Sequence, residues 1–430
     1  MNTVAHKDVA NVVLFVNDYN HEFGTAIKKL ELQLNMPLRG VIILDNEVRK
    51  LGINKPDLDK EFSQIVCDYD DLSSISKAIN SIRHNVLAVI CSSERNQPYL
   101  KKLLPHLPYC VGPSESSLEW STHKITMRKM LGSYNESLIP KVVSVSAVTP
   151  KVVSLISEQL TYPLIVKPNG LAASILVEKV RNEKELATHL THSFKVLDDL
   201  YKRDRGRGEK VMVVEEFIEG DMYSTDAYVD MKGQTQVLPF LRCYTAHEKG
   251  KDGFYTFSTH TKTSLTPEQV KTGVAAVTDA VHAVGLRGSV AHVELFYTKN
   301  GWMIIELGPR AGGQRHDIYL HAYGIDHALN EMRLKAGLPV DMKHYKTGHA
   351  ATVNVYPETA GTIDKIIGLS KTRELASVKY INQNLKVGNY ADLSQNGGKL
   401  VIDGLLSNEN YNDLLIDLEK AQTLLQVSTN

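Results

Sequence analysis

The sequence is short of cysteine, of net charge and of long apolar runs, and each shortage removes a class of function. Its four cysteines, Cys67, Cys91, Cys110 and Cys243, lie far apart and form no C-x-x-C pair, so they read as reduced packing residues rather than zinc or redox ligands. Lys plus Arg and Asp plus Glu both number 49, which leaves no surplus field to gather a polyanion and argues against nucleic acid as a partner. The apolar run Val12 to Val16 is cut off by Asn17 and Asp18, too soon for a signal segment or a membrane span. A cytoplasmic protein with no membrane partner is therefore expected. Glycine is missing where a dinucleotide fold would need it: the first strand runs into Asn17-Asp18-Tyr19-Asn20, with none before Gly24. Neither a G-x-G-x-x-G turn nor a G-x-x-x-x-G-K-[ST] loop is present, and no internal repeat or low-complexity tract occurs.

What is there is the material of a folded protein. Of 430 residues, 43% are hydrophobic and 23% charged, enough for roughly three units with cores of their own. In residues 1–112, β-branched runs at 11–16, 40–44, 64–67 and 86–91 alternate with helical patterns, which predicts an open parallel sheet with helices on its faces. Val111-Gly112-Pro113-Ser114 reads as a hinge, and Ser116 to Glu119 as a capping box opening a helix that runs to about Leu131. A central unit over 113–210 adds strands at 162–167, 175–180 and 210–217, and the Arg-Gly-Arg-Gly segment within 202–210 reads as a solvated basic turn. A third unit, 211–340, contains a Gly-punctuated loop at 248–262 with the look of a mobile lid and a helix at 267–283. The last, 341–430, is a strand-rich lobe ending in a helix at 410–425. The fold class is α/β, with α+β character in the C-terminal half.

Three segments carry chemistry. In 288–310, two β-rich runs separated by Thr-Lys-Asn-Gly predict a hairpin, and a loop centred on Asn300 sets Glu294 opposite Glu306. Like charges so placed destabilise a sheet unless a cation lies between them, which points to a divalent metal held with phosphate oxygens. An edge hairpin with two solvated glutamates is the alternative. The apolar neighbours His292, Val293, Leu295, Ile304 and Ile305 argue that one face is dry. The second segment is an apolar strand ending in Lys167-Pro168, followed by a loop of small residues, 169–174. It brings an ammonium and backbone N–H groups to one spot, as a polyphosphate requires. Third, Val211 to Gly220 is an apolar strand leading into Glu215, Glu216, Phe217 and Ile218, either a strand leaving the core or an apolar slot for a base.

In this order, and with Lys124 on the helix before them, these segments resemble the ATP-grasp superfamily, and within it carboxylate–amine ligases of the L-amino acid ligase type. The resemblance spans nearly the whole chain and implies an ATP-grasp fold behind an N-terminal parallel-sheet domain. It implies that Lys124, Lys167, Asn169, Gly170 and Ser174 bind the phosphates of ATP, and that Glu215, Glu216, Phe217 and Ile218 hold adenine. Glu294 and Glu306 would bind one or two Mg2+ ions, with Mn2+ as a substitute. Arg310, with Gly313, would act on the reacting carboxylate, while His260, Gly312 and Arg315 would face the substrates. Those substrates would be small-molecule carboxylates and amines, amino acids foremost, in a homodimeric enzyme that makes an amide bond through an acyl phosphate. Three positions depart from the family pattern: Met222 where a ribose-binding glutamate is usual, Gly308 where a metal-binding asparagine is usual, and Ala172-Ala173 in a phosphate loop that is usually glycine-rich. An ATP-grasp enzyme with a different acceptor, or a nucleotide-binding regulator without catalysis, are the competing readings.

Overall fold

The computed structural model describes residues 10–50, 62–82, 85–171, 174–203, 206 and 208–430. The N-terminal strands Val12–Val16, Arg39–Asp45, Ser63–Cys67 and Val86–Ile90 pair in parallel, in the spatial order third, second, first, fourth. Alternate residues of the first strand feed two cores: Val12, Leu14 and Val16 pack on one face, Val13 and Phe15 on the other. Such two-sided burial is what a parallel sheet with helices on both faces demands. Where a phosphate turn would sit, Asn17 adopts a left-handed conformation (φ 65°). Its side chain accepts from the Asp45 amide at 2.7 Å and donates to Asn96 at 3.3 Å. The carboxyl ends of three strands are thereby stitched by one asparagine.

The single helix expected up to Leu131 is instead two, Glu115–Thr122 and Lys124–Tyr134, with Ser114 rather than Ser116 as the cap. The break is His123, whose backbone is extended (φ −106°, ψ 112°). It turns the second helix so that Lys124, Met127, Arg128 and Leu131, at helical spacing, form a buried face. The central unit is an antiparallel sheet in the order Val142–Val145, Met212–Glu216, Leu164–Pro168, Glu178–Val180. Its last strand starts later than the expected 175, because Ser174 and Leu176 take positive φ (57° and 54°) and form a turn. Ala172 and Ala173, and part of the basic turn at 202–210, lie outside the described residues.

A nine-stranded antiparallel sheet forms the rest of the frame, in the order Gly301–Gly308, Ser289–Thr298, Asp221–Val229, Leu241–Thr245, Thr256–His260, His349–Val355, Ile402–Asn408, Val378–Gln383, with Thr235–Val237 pairing off to the side. Strands before and after residue 340 thus share one sheet, joined where His260 pairs with Ala351. This corrects the expected lid: 256–260 is an interior strand, because Thr-Phe-Ser-Thr-His is β-prone and the glycine punctuation ends at Gly253. A three-stranded sheet at the C-terminus centres on Gly361–Ile367, and no helix among the described residues is long and apolar enough to cross a membrane.

Candidate active site

Two cations converge on one buried carboxylate, Glu215, and a third, Lys124, stands beside Glu306. Lys124 opens its helix and Arg128 follows one turn later on the same face, while Lys167 comes from the end of the strand Leu164–Pro168. Arg128, 1% exposed, gives Glu215 a fork, with Nε 3.1 Å from Oε2 and Nη2 3.4 Å from Oε1. Lys167 Nζ contacts Glu215 Oε1 as well. Burial alone would raise the Glu215 pKa, but the charges of Arg128 and Lys167 outweigh it and hold the carboxyl at about 2. Burial, with Arg128 and Lys124 close by, pushes the Lys167 ammonium below its usual range against the pull of Glu215. Arg128 and Lys167 share the single carboxylate of Glu215, which leaves positive charge there for a polyphosphate to neutralise.

The loop that follows Lys167 is tied to the same helix. Lys124 Nζ donates to the Leu171 carbonyl at 2.7 Å and lies 3.5 Å from Glu306 Oε1, so it stands between the loop and the acidic hairpin. Asn169 Oδ1 accepts from the Ile125 amide at 3.1 Å, and the Gly170 amide donates to Tyr201 Oη at 2.9 Å. Both groups serve the loop's own shape here. Ser174 sits in the turn after it, its carbonyl accepting from Val177 at 3.2 Å.

Glu294 does lie opposite Glu306. The register arrives there by two offsets. The loop is only Lys299-Asn300, because Thr298 pairs with Gly301, and an extra residue at Ile305 then brings the two glutamates level. Arg128 caps this bulge, donating to the carbonyls of Ile304 (2.7 Å) and Ile305 (2.9 Å). Each carboxylate has a nitrogen partner: Lys124 beside Glu306, and His292 Nε2 at 3.4 Å from Glu294 Oε1. Burial opposes ionisation of Glu294, but His292, Arg315 and Arg310 hold its pKa below normal. Two oxygen-donor side chains facing each other beside surplus cations fit a hard divalent ion carried in with a nucleotide.

Arg310 follows the hairpin and meets the N-terminal domain, donating from Nη2 to Glu94 Oε2 at 2.8 Å and from Nη1 to the Ala311 carbonyl at 2.8 Å. The glycine pair beyond it is fastened from both sides. The Gly312 amide donates to Asp226 Oδ2 at 2.9 Å, while Arg315 joins the Gly313 carbonyl (3.0 Å) to Ser224 Oγ (2.8 Å). A Cβ at 312 would fall 2.4 Å from His292 Nδ1, so only glycine fits there; one at 313 would meet open space. The Gly312 amide is engaged inside the protein, so it is not available as a donor to a substrate.

Elsewhere the sequence expectations meet different surroundings. Glu215 points its carboxylate into the ion cluster, not at a base. Glu216 accepts from the Thr161 amide at 3.1 Å, and the Phe217 amide donates to Pro163 at 3.0 Å, with Lys179 Nζ 3.6 Å above the Phe217 ring. Ile218 follows them in the segment leaving the strand Met212–Glu216. His260 is buried between Ser258 and Tyr411, where burial, Lys249 and Arg242 push its pKa down to about 4, so it is no lid residue. Met222 is nearly buried in the strand Asp221–Val229, its carbonyl accepting from Arg242 at 3.1 Å.

Sequence reasoning missed Arg128, Asp226 and Glu94. Arg128 carried a signal, being four residues after Lys124 on a helix with an apolar stripe. Asp226, at 0% exposure, lay inside a run read as a plain strand, and Glu94 in a loop.

A model of the ATP-grasp domain matches residues 160–317. Among curated proteins, the uncharacterized protein y4rH of Sinorhizobium fredii is 23% identical over 279 residues, 64% of this chain and 55% of that one. The alanine–anticapsin ligase of Bacillus amyloliquefaciens is 22% identical over 243 residues, 54% of this chain and 52% of that one. The chain thus spans about half the length of the curated relatives it matches. Among solved structures, an L-amino acid ligase from Bacillus licheniformis superposes with a TM-score of 0.78 at 19% identity, covering 98% of this chain and 99% of that one. N5-carboxyaminoimidazole ribonucleotide synthetase from Thermotoga maritima gives 0.68 at 16%, covering 98% and 100%. Together with the sheet order above, these likenesses show an ATP-grasp fold, with residues 160–317 matching the ATP-grasp domain.

Proposed function

We propose that the protein is an ATP-dependent carboxylate–amine ligase that joins amino acids and releases ADP and phosphate. The observation that carries this reading is the position of Lys124, 2.7 Å from the phosphate-loop carbonyl and 3.5 Å from a hairpin carboxylate, so that one ammonium faces both a polyphosphate and its counter-ion. The names of two relatives, an L-amino acid ligase and an alanine–anticapsin ligase, support it.

A carboxylate is a poor electrophile. One of its oxygens attacks the γ-phosphorus of ATP, ADP leaves, and the acyl phosphate is attacked by the amine, which gives up a proton as phosphate departs. Lys124 and Lys167 position the transferring phosphoryl group and neutralise its charge, with no covalent role for a side chain. A divalent cation held by Glu294 and Glu306 would supply further charge neutralisation at the phosphates. Arg310, a planar fork that never loses its charge, would receive the substrate carboxylate. In this structure Glu94 occupies that fork, and an amino acid entering there would exchange Glu94 for its own carboxylate and bring its ammonium beside Glu94. The test is a phosphate-release screen over pairs of amino acids with mass detection of the product. Product of summed mass less water supports the reading. Phosphate release only with a non-amino-acid acceptor would move it to another ATP-grasp chemistry, and no release with any pair would favour a non-catalytic nucleotide binder.

A further inference from the structure

Strand pairing lays two rungs across the sheet, Ser224 with Glu294 and Glu306, then Asp226 with His292 and Gly308. His292 and Glu294 are two residues apart on one strand, so they share a face. The His292 ring is buried and spans two carboxylates, Nδ1 at 2.6 Å from Asp226 Oδ1 and Nε2 at 3.4 Å from Glu294 Oε1. Asp226 cannot turn away, because its other oxygen accepts from His327 Nε2 at 2.8 Å and from the Gly312 amide at 2.9 Å. It acts as acceptor throughout, so His292 Nδ1 carries a hydrogen and the ring's second nitrogen is aimed at Glu294. Gly308 closes the rung without a side chain: a Cβ there would find nothing nearer than Arg310 Cγ at 3.8 Å, then Arg310 Nε and Glu94 Oε2 at 4.0 Å. No side chain at 308 therefore stands on this face beside His292.

Two donors in neighbouring positions around an octahedral cation, each at about 2.1 Å, stand about 3 Å apart. The Nε2 to Oε1 separation of 3.4 Å is close to that spacing. A ring nitrogen facing a metal site while the other donates to a fixed carboxylate is the usual arrangement of a ligating histidine. Resting on the ATP reading above, we propose that His292 Nε2 is a nitrogen ligand of the divalent cation at Glu294, oriented by Asp226. A proton on Nε2 passes to solvent as the metal binds, the Nε2 to Glu294 hydrogen bond is replaced by a bond from each to the metal, and the Asp226 bonds stay as they are. A mixed nitrogen and oxygen donor set suits a transition ion, so the site should take Mn2+ more tightly than Mg2+. The competing role is an imidazolium that only neutralises Asp226 and Glu294.

Pulsed electron paramagnetic resonance on the full chain with Mn2+ and ADP separates the two. The expected result is a 14N imidazole coupling to Mn2+ that becomes a 15N pattern when histidine is labelled. In His292→Gln it should disappear, and Mn2+ affinity should fall at least about tenfold. Bound Mn2+–ADP without imidazole coupling, or with coupling that survives in His292→Gln, overturns the inference and leaves the ATP reading standing. If Mn2+–ADP does not bind at all, the ATP reading fails and takes this one with it. Should the variant not fold, the labelled native protein decides, because an unchanged spectrum means no histidine is bound.

Discussion

Arg128 and Glu215 form a forked ion pair with almost no solvent contact, 1% and 4% exposed, at the point where the helix Lys124–Tyr134 meets both sheets of the site. The same guanidinium bonds two carbonyls of the hairpin bulge. One side chain thus fixes the cation cluster and the register of the acidic pair together.

Removing Arg128 should therefore cost stability as well as activity. In Arg128→Met, Glu215 stays buried with Lys167 alone and two carbonyls lose their donor, so unfolding free energy should drop by about 3 to 5 kcal/mol. Arg128→Lys should recover only part of it, because an ammonium cannot reproduce the fork and still reach Ile304 and Ile305. Urea denaturation of the two variants decides. A loss under 1 kcal/mol in Arg128→Met would mean the cluster is not what holds the bulge.

Lys167 makes a contrasting case. In Lys167→Ala, Glu215 keeps the Arg128 fork, so the fold should survive. A phosphate donor is gone, and affinity for a non-hydrolysable ATP analogue should fall roughly tenfold to a hundredfold, as charge-assisted bonds go. Lys167→Arg should not restore it fully, since a planar fork does not reproduce the point charge of an ammonium in a phosphate cradle. Titration calorimetry on both variants is the measurement, and native affinity in Lys167→Ala would remove the residue from the nucleotide site.

Acid should act in two stages. The His260 pKa is depressed to about 4 by burial and neighbouring cations, so the fold holds the ring neutral. Its contribution is complete above the unfolded value of about 6.5 and is lost as pH falls towards 4. Glu215, held at about 2, adds a second loss from about pH 4.5 downwards. Burial also lowers His189 and His321, so in His260→Gln the decline in urea midpoint between pH 7 and pH 5 should be smaller than in the native protein but not absent. An identical decline in the two proteins would show that His260 is not buried in the neutral form.

How far the sequence could be read differs from residue to residue. Glu294 against Glu306 was legible because a short hairpin turn dictates pairing within a few residues. The offset that makes the pairing work was not, since the bulge at Ile305 depends on Arg128, 177 positions away in the chain. His260 was assigned to a lid because glycines nearby suggested a loop, whereas the partner strand that buries it begins at His349. Asp226 gave no sign of its role, because a polar residue in a strand becomes informative only when its acceptors and donors are known, and they come from 66, 86 and 101 positions away. Local pattern located most elements but missed the break at His123 and the strand Thr256–His260. Long-range bonds decided which polar groups remain for a ligand.

The last prediction concerns Arg310, where the interdomain pair with Glu94 opens two roles. If Arg310 receives the reacting carboxylate, Arg310→Ala should lower kcat and kcat/KM alike by about 10² to 10³, with the ATP dissociation constant nearly unchanged. Glu94→Gln should then behave differently. It keeps the shape beside Arg310 but loses the charge that would hold an ammonium, so KM for an amino acid substrate should rise while ATP binding is unaffected. If the pair serves only to dock the N-terminal domain, both substitutions should lower the melting temperature by similar amounts and disturb ATP and substrate binding together. Thermal melts and steady-state kinetics on the same preparations of the two variants separate these outcomes. A destabilised Arg310→Ala with native kcat would end the case for Arg310 at the reacting carboxylate.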